Sequence, residues 1–419
     1  MFEATLRWAT SAVGGATGLA VGGAVHPTRS ARSAAAHISV HADEFIAAGA
    51  SYPLYALGVI RRVLVVLLVG SCGAPPPLSP PQATEQGVMR AHFIDVGQGD
   101  ATLLEFPCGA VLVDTGGEQN AELDSDALLV AYLDRFFAGR PDLRSTLSAL
   151  VLSHPHADHT HGVGAVLERY AVKAFVDDGL TTGSGRAGVA AVRAFAAAHP
   201  GTRLREVSND DIGPEGMTDD VIDPVRCEGV DPHLTALWGR VPVDPGWKSD
   251  AHGRSSFENA NNHSVVLRVD FGRASFLLTG DLEVAAQEAM VAKYGRGRML
   301  DVDVLKVAHH GSYNGTTEAL LAASTPEVAV IPMGPSERRH AFTAWKFGHP
   351  RRVAVERLAR AVRRRRPPLD VEVADGVSAF SALRLDAAVY ATGWDGTVIV
   401  EANANGELAV RTSRGKLND

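Results

Sequence analysis

The sequence predicts a soluble α/β domain built as a layered sandwich of sheets and helices. Strand-like and helix-like runs are mixed in both halves of the chain, which is the pattern of a layered α/β fold. The chain has 419 residues, of which 46% are hydrophobic and 21% are charged, so it is long enough to bury a large core. We predict that residues 89–419 form one domain.

Alternating apolar residues and glycine-rich breaks locate the elements along the chain. Strands are predicted at 92–96, 101–106, 110–114, 147–153, 173–177, 264–270, 274–279, 302–307 and 328–332. Helices are predicted at 122–137, 160–170, 187–198, 284–293 and 317–323. Residues 200–260 are rich in Asp, Gly and Pro, and we expect a long loop there that either shapes substrate access or is tolerated decoration.

Four metal-binding side chains occupy six consecutive positions after an apolar strand. They are His154, His156, Asp158 and His159 in the segment Ser-His-Pro-His-Ala-Asp-His. Side chains at i and i+2 of an extended segment point the same way, so His154 and His156 can share one ion while Asp158 and His159 face a second. Such donors suit Zn²⁺, with Mn or Fe as alternatives. The competing interpretation is a histidine-rich surface loop in which Asp158 only caps a helix.

The cluster is one of several motifs that follow each other along the chain. The others are 93–101 (FIDVGQGDA), 113–117 (VDTGG), 261–267 (NNHSVVL), 278–281 (LTGD), 305–312 (LKVAHHGS), 347–350 (FGHP) and 395–399 (DGTVI). In this order they resemble the metallo-β-lactamase superfamily, whose hallmark is His-x-His-x-Asp-His after a strand. The closer resemblance is to the soluble domain of ComEC-type DNA-uptake (competence) proteins. It covers residues 89 to 401 and implies a metallo-β-lactamase-like αββα sandwich.

The resemblance implies further ligands. Asp281, at a strand end, would offer one carboxylate oxygen to each of two ions, or else cap the next helix. One of His309 and His310 would complete the second metal's shell while the other contacts substrate or donates a proton. The sequence leaves their order open, and we assign His309 to the metal and His310 to catalysis. His263 is the candidate third histidine of the first metal, with a strand-edge histidine as the alternative.

Polar side chains near these ligands are candidates for supporting roles. His349 lies in a family-like Gly-His-Pro and is a candidate for substrate contact. Asn262 and Ser264 offer polar groups to a charged substrate, although capping a loop explains them equally well. The carboxylates of Asp95, Asp100 and Asp114 either orient ligand histidines or stabilise turns. Asp95 and Asp100 flank the Gly97–Gly99 turn, and Asp114 ends the third predicted strand.

Charge argues mildly against tight nonspecific binding of nucleic acid. The net charge is -8, and beyond the first 71 residues 35 basic residues face 45 acidic ones. A basic segment is the local exception, with Arg351, Arg352, Arg357, Arg360 and Arg363–Arg366. Apolar residues at helical spacing within it favour a solvated helix face, and a patch that guides a phosphate backbone is the alternative.

The N-terminal region predicts export. Residues 1–58 are Ala/Gly-rich without convincing periodicity, and we expect them to be a mis-annotated extension ahead of a true start near Val59. Residues 59–72 then resemble a lipoprotein signal peptide, with two arginines, a short apolar run and a lipobox that ends at Cys72. The apolar run is shorter than the roughly 20 residues of a membrane span. Residues 73–88 would form a Pro-rich tether from a lipid on Cys72 to the domain.

Cysteine usage does not decide the compartment. Cys108 and Cys227 are the two cysteines beyond Cys72. Export would allow a disulfide between them, but the sequence cannot show that they meet. Two unpaired, buried cysteines are the interpretation we favour here, because free cysteine is often simply buried.

The predicted function is hydrolysis by a metal-bound hydroxide at a site of two zinc ions. A metal ion lowers the pKa of bound water, and two ions can stabilise both the attacking and the leaving oxygen. The resemblance favours a phosphodiester, in nucleic acid or in a small molecule. The alternatives are an ester, lactone or β-lactam, or a non-catalytic surface lipoprotein that acts as a binding partner in DNA uptake or envelope assembly. Fold alone does not choose between them.

Overall fold

Apolar segments from both halves of the chain form two mixed β-sheets that lie face to face. The computed structural model describes residues 87–250, 253–295 and 297–414, which belong to one compact unit. The predictions for residues 1–58, for the signal segment with Cys72 and for most of the tether lie outside the described residues. Among the described helices, none is both long and apolar enough to cross a membrane.

The elements follow each other closely along the chain. The strands are β1 (Val88–Phe93), β2 (Thr102–Phe106), β3 (Gly109–Val113), β4 (Thr146–Leu147), β5 (Ala149–Val151), β6 (Ala171–Val172), β7 (Ala174–Asp177), β8 (Arg203–Glu206), β9 (Pro232–Trp238), β10 (Val266–Phe271), β11 (Ala274–Leu278), β12 (Val304–Lys306), β13 (Val328–Ile331), β14 (Arg365–Gly376), β15 (Ala379–Ala387), β16 (Val389–Ala391), β17 (Val398–Asn403) and β18 (Leu408–Thr412). The helices are α1 (Ser125–Gly139), α2 (Ala157–Thr160), α3 (Val163–Arg169), α4 (Arg186–Ala198), α5 (Val284–Tyr294), α6 (Glu318–Ser324), α7 (Ala344–Phe347), α8 (Arg352–Ala361) and α9 (Thr392–Asp395). Short 3-10 turns span Pro141–Leu143, Ala260–His263 and Ala308–Gly311.

The first sheet has the strand order β18-β17-β1-β2-β3-β5-β7-β8. Its strands are antiparallel from β18 to β3 and parallel from β3 to β8. Alternation along each strand divides the side chains between its two faces. In β5, Ala149 and Val151 join the core between the sheets, whereas Leu150 packs with the helices α1, α3 and α4 on the outer face.

The second sheet has the order β16-β13-β12-β11-β10-β9 and is parallel from β16 to β11. Its apolar side chains merge with those of the first sheet in one continuous core, to which α5, α6 and α8 add Met290, Leu321 and Leu358. The layers are therefore helix, sheet, sheet and helix, as the sequence predicts. The hairpin β14-β15 forms a separate two-stranded sheet.

The structure corrects the expectation of an uninterrupted loop at residues 200–260. Strand β8 lies at the edge of the first sheet and β9 at the edge of the second. The side chains of Leu234, Ala236 and Trp238 in β9 are buried at alternate positions. Strand formation here follows from that alternation, which the surrounding Asp, Gly and Pro residues conceal in the sequence.

The structure also corrects the favoured prediction for the cysteines. Cys108 and Cys227 form a disulfide, with Cα atoms 5.4 Å apart across 119 residues of sequence. Cys108 is exposed on the turn between β2 and β3. The segment that carries Cys227 reaches this turn because the buried side chain of Val225 packs close to Gly109.

Replacement of both cysteines by serine should lower the free energy of unfolding. Closing so long a loop restricts the unfolded chain, which raises the free energy of unfolding by about 2–4 kcal/mol. The measurement is denaturant unfolding of the full chain and of the double variant, each with and without a reductant. We expect reductant to destabilise the parent and to leave the double variant unchanged. Equal midpoints for the oxidised parent and the variant would contradict a stabilising disulfide.

Candidate metal centre

Loops that follow four strands meet at one edge of the sandwich. Asp114 follows β3 and the 154–159 segment follows β5, which are parallel neighbours in the first sheet. Asp281 follows β11 and His310 follows β12, which are parallel neighbours in the second. The carboxyl ends of parallel strands lie at the same edge of a sheet, where α/β proteins place their ligand sites. Both sheets therefore contribute side chains to one place.

Asp158, His159, Asp281 and His310 form a compact group in which one ligand atom of each lies within 4.8 Å of the others. His159 Nε2 is 3.2 Å from Asp281 Oδ1, and His310 Nε2 is 3.4 Å from Asp281 Oδ2. His310 Nε2 is also 3.4 Å from Asp158 Oδ2. Asp281 thus directs one carboxylate oxygen towards each histidine.

His154 and His156 adjoin this group. His154 Nε2 and His156 Nδ1 lie 3.1 Å apart, so the two rings direct nitrogens at the same point. The other nitrogen of His154 is 3.0 Å from Ser153 Oγ and 3.4 Å from Ser264 Oγ. The ring centroid of His154 lies 4.2 Å from that of His159. The two sets of donors are therefore continuous, as the spacing of the motif predicts.

Two buried nitrogens at the centre lack hydrogen-bond partners. The Nε2 atoms of His159 and His310 make no hydrogen bond with any described residue, although carboxylate oxygens lie close to both. A buried polar atom without a partner costs about 1–3 kcal/mol. Coordination of a divalent metal ion removes this cost, and imidazole with carboxylate is a donor set that Zn, Mn and Fe accept. The residues present therefore fit a metal ion, and the donor set does not select one metal.

Hydrogen bonds fix the outer nitrogens of the two histidines. His159 Nδ1 donates to Asp114 Oδ2 at 2.8 Å, and His310 Nδ1 donates to the carbonyl of Pro332 at 2.8 Å. Asp114 in turn accepts bonds of 2.7 Å from both the amide and the hydroxyl of Ser153. These contacts hold the tautomer in which Nδ1 carries the proton, so that Nε2 faces the cluster with its lone pair.

A buried ion pair lies beside the cluster. Lys306 Nζ pairs with Asp100 and donates to the carbonyl of Gly280 at 2.9 Å, while Asp100 N donates to the carbonyl of Asp158 at 3.0 Å. The pair connects the loops that carry Asp158 and Asp281. Sequence reasoning assigned no role to Lys306. The available signal was a lysine inside an otherwise apolar strand, since a buried cation requires a partner.

Opposing charges shift the pKa values within the metal-free cluster. Burial lowers the pKa of His310, but the carboxylates of Asp281 and Asp158 outweigh burial and raise it to about 9. Burial opposes protonation of His159 too, yet Asp281 and Asp114 raise its pKa well above the ordinary value. Metal binding must therefore displace protons from both rings.

The cluster lies at the base of an open cleft of about 1410 Å³. His156, Asp158, His309 and His349 border the cleft at its base, and the walls include residues 253–255, 258, 259 and 261. The side chain of Asp158 is 34% exposed, in contrast to the buried Asp281. A substrate in the cleft can therefore reach Asp158 directly.

Residues 94–235 match the model of the Metallo-beta-lactamase superfamily, and this span contains the 154–159 segment. This part of the chain has a metallo-β-lactamase-like fold. The match joins the observed layers of helix and sheet to the ligand motif at the strand ends. The fold and the resemblance predicted from the sequence are both confirmed.

Three bacterial proteins are similar in sequence to this chain. Recombination protein 2 of Haemophilus influenzae is 29% identical over 61% of this chain and 25% of its own length. ComE operon protein 3 of Bacillus subtilis is 28% identical over 59% of this chain and 29% of its own length. Competence protein ComA of Neisseria gonorrhoeae is 43% identical over 18% of this chain and 10% of its own length. The chain thus spans about a quarter of the length of the first two.

The geometry reverses the predicted order of the adjacent histidines. His310 lies in the metal cluster, whereas the side chain of His309 is 22% exposed and borders the cleft. The φ angles of His309 and His310 are 49° and 51°, an unusual pair of left-handed residues. This turn directs the two rings to different sides, so alternation along a strand could not assign them.

The structure contradicts the prediction that His263 is a metal ligand. Its Nδ1 accepts a 3.0 Å bond from the amide of Val241, and its Nε2 donates a 2.6 Å bond to the carbonyl of Phe257. With both ring nitrogens engaged by the backbone, His263 holds the 3-10 turn against neighbouring loops. It offers no nitrogen to the metal cluster.

Of the three residues predicted to contact substrate, one lines the cleft and two do not. Asn262 bonds the carbonyl of Ser256 and the amide of Glu283, and Ser264 Oγ accepts the amide of Asp281 at 3.1 Å. Both side chains are buried and do not line the cleft, so the structure assigns them to loop support and corrects their predicted contact with substrate. His349 does line the cleft, as expected of a residue that touches substrate.

The three predicted supporting carboxylates also separate. The Asp114 carboxylate bonds His159, and the Asp100 carboxylate pairs with Lys306 while its backbone amide bonds the carbonyl of Asp158, whereas Asp95 stabilises a turn. Its Oδ1 accepts the amide of Gly97, and its other oxygen lies 3.3 Å from Arg414. Asp95 is thus structural, and the other two orient the site.

Replacement of His310 by alanine should weaken metal binding far more than replacement of His309. Loss of a residue that only orients a ligand costs about 10- to 100-fold in metal affinity, so loss of His310 should exceed that range. The neighbouring variant His309→Ala is the matched control and should change affinity by less than about 3-fold. Competition with a chromophoric chelator measures both, with thermal melting to verify folding. Equal effects of the two variants would refute the assignment of His310 to the cluster.

Proposed function

We propose that the domain is a metal-dependent hydrolase that acts on phosphodiesters. The observation that carries the proposal is the cluster of Asp158, His159, Asp281 and His310, in which the two buried Nε2 atoms without hydrogen bonds lie close to the Asp281 carboxylate at an open cleft. A protein that only binds a partner has no need for such a set beneath an accessible surface. The family match supports the same conclusion.

The residues divide into metal holders and groups that face the substrate. Asp158, His159, Asp281 and His310 would hold one ion, and His154 with His156 would hold a second beside it. A bound divalent ion supplies Lewis acidity and lowers the pKa of water. The exposed carboxylate of Asp158 is placed to orient an attacking water molecule and to accept its proton.

Side chains on the rim are suited to a leaving group. His309 Nδ1 lies 3.3 Å from Glu283 Oε1 and 3.2 Å from Ser312 Oγ, contacts that fix the ring at the edge of the cleft. A ring held in this way can give a hydrogen bond or a proton to a departing oxygen. His349 lies beside it, with ring centroids 5.4 Å apart.

The charge of the rim supports an anionic phosphodiester over a neutral ester or lactam. Arg351 lines the cleft and makes no ion pair with a described residue, and guanidinium groups bind phosphate oxygens well. The resemblance to the competence proteins also favours nucleic acid or a related phosphodiester. A role in DNA uptake is part of this proposal.

Activity should depend on the cluster and on metal. The full chain, loaded with Zn²⁺ or Mn²⁺, is assayed against bis-p-nitrophenyl phosphate, single-stranded DNA and the β-lactam nitrocefin. We expect turnover of the phosphodiesters, loss of activity with a chelator, and a fall in kcat of about 100-fold or more for Asp158→Asn.

His161→Gln is the matched control for Asp158→Asn. His161 also lines the cleft, but its ring is 43% exposed and pairs with Asp126, so its loss should change kcat by less than about 3-fold. If only nitrocefin is hydrolysed, the substrate class is an acyl compound and the proposed phosphodiester is wrong. If the fully metallated protein hydrolyses none of the three substrates, the hydrolase proposal is wrong and the alternative of a binding protein is favoured.

We further propose that the domain acts in the cell envelope, attached to the membrane through a lipid on Cys72. Two observations support this location. The Cys108–Cys227 disulfide is of a kind that persists in oxidising compartments outside the cytoplasm. The resemblance to competence proteins also suggests an envelope role.

The lipid attachment has a direct test in bacterial cells. Cells that express the full chain are fed a radiolabelled fatty acid, and the protein is followed through membrane fractionation. We expect label and membrane association for the parent and loss of the label for Cys72→Ser. Label that persists in Cys72→Ser would overturn the proposed attachment.

A further inference from the structure

The exposed phenylalanine and tyrosine side chains of the described surface gather at the cleft. Tyr313, Phe342 and Phe347 are 40%, 66% and 40% exposed, and all three line it. Val377, which is 59% exposed, joins them at the tip of the β14-β15 hairpin. Exposed apolar side chains that stand together, rather than singly, mark a surface that binds something.

A column of rings connects this surface to the metal cluster. The ring of His310 stacks on His349 with centroids 6.1 Å apart, and His349 stacks on Phe347 at 5.9 Å. Both pairs have interplanar angles of 25°. Phe342 follows Phe347 at 6.4 Å. The column therefore runs from a buried ligand histidine to the most exposed phenylalanine of the described surface.

The outer end of the column is held in place. Phe342 has a φ of 59°, a backbone conformation that is unfavourable for a bulky side chain and that persists only where the surroundings enforce it. Thr343 fixes the adjacent turn, because its hydroxyl donates to the carbonyl of His340 and accepts the amide of Lys346. The hairpin is tied to α7 by a 3.0 Å bond from the amide of Ser378 to the carbonyl of Trp345.

One arginine of the basic segment lines the same cleft as these rings and has no carboxylate partner among the described residues. Arg352, Arg365 and Arg366 pair with Asp375, Asp386 and Asp395. Within the described residues, Arg351 makes no ion pair, and its buried Nε has no hydrogen-bond partner. Arg351 lines both the cleft and a smaller groove of about 470 Å³ along the start of α8. An unpaired guanidinium at this junction is available to an anion.

We propose that Phe342 and Phe347 form a stacking subsite for a planar ring of the substrate, and that Arg351 binds a phosphate that flanks this ring. The inference rests on the proposed phosphodiesterase function and specifies its substrate as a phosphodiester chain with planar rings. Stacking on phenylalanine tolerates different bases, since every base has a π face. The rings would then select for the presence of a base rather than for its identity.

The test separates stacking from catalysis by measuring binding to a chain that resists cleavage. The probes are a six-nucleotide phosphorothioate thymidylate and the same backbone with abasic residues, titrated against the full chain in Mn²⁺ by fluorescence anisotropy. We expect the parent to bind the base-bearing probe roughly 5- to 100-fold more tightly, the range for one stacked base. Phe342→Ala should lose most of this preference, and Phe342→Trp should retain it.

Two further variants complete the test. Leu128→Ala removes an apolar side chain that is 41% exposed and does not line the cleft, so the preference should persist. Arg351→Gln should weaken binding of both probes equally and reduce the slope of log Kd against log salt by about 1, as loss of one phosphate contact does. An unchanged salt slope in Arg351→Gln would overturn the phosphate contact.

Failure of the subsite and failure of the enzymatic proposal give different results. If the parent cleaves base-bearing and abasic chains with ordinary phosphodiester linkages at the same rate and binds both probes equally, the hydrolase stands and the stacking subsite is wrong. If the parent prefers the base-bearing probe, Phe342→Ala abolishes the preference, and no chain is cleaved, the subsite stands and the hydrolase is wrong.

Discussion

The structure of the site depends on compensating buried negative charge at one edge of the sandwich. Asp100, Asp114 and Asp281 are each no more than 2% exposed. Buried carboxylates are costly unless cations and hydrogen-bond donors surround them. Lys306 supplies a permanent cation to Asp100, Ser153 and His159 supply donors to Asp114, and a metal ion is the compensation that the site offers Asp281. Tight packing at this edge follows from that requirement.

This charge balance also explains why two sheets are needed. The first sheet carries Asp114 and the 154–159 segment, while the second carries Asp281, Lys306 and His310. Neither sheet alone encloses a complete ligand set, so the metal centre exists only when the sheets pack face to face. Metal affinity and sheet packing are therefore linked, because a ligand that binds only the folded state stabilises it. The ion pair of Lys306, in the second sheet, with Asp100, just before β2 of the first, keeps the two halves of the site in register.

The sequence was most informative where the residues of the site lie close together along the chain. The ligands His154, His156, Asp158 and His159 lie within six consecutive positions, so their spacing alone places them together. Alternation of apolar residues located most strands near them. His263 was misassigned because its orientation is set by bonds to Val241 and Phe257, which no local pattern encodes. The disulfide joins cysteines that are 119 residues apart, so it depends on packing between distant segments. The different directions of the His309 and His310 rings depend on the left-handed backbone conformation of both residues. Each error concerns a contact that exists only after the layers assemble.

The parts of the cleft that could distinguish substrates come from outside the two sheets. The metal ligands follow strands whose positions the core fixes, and they are compatible with attack on phosphorus or on a carbonyl carbon. The exposed apolar side chains of the cleft instead include Phe342 from the loop before α7, Phe347 from α7 itself and Val377 from the tip of the β14-β15 hairpin. These segments can change without disturbing the buried charges beneath them. Under the proposed function, the edge of the sandwich would therefore set the chemistry, and the loops above it would set the choice of substrate. The ring column through His349 is where the two meet, because the same ring contacts a metal-site histidine on one face and Phe347 on the other.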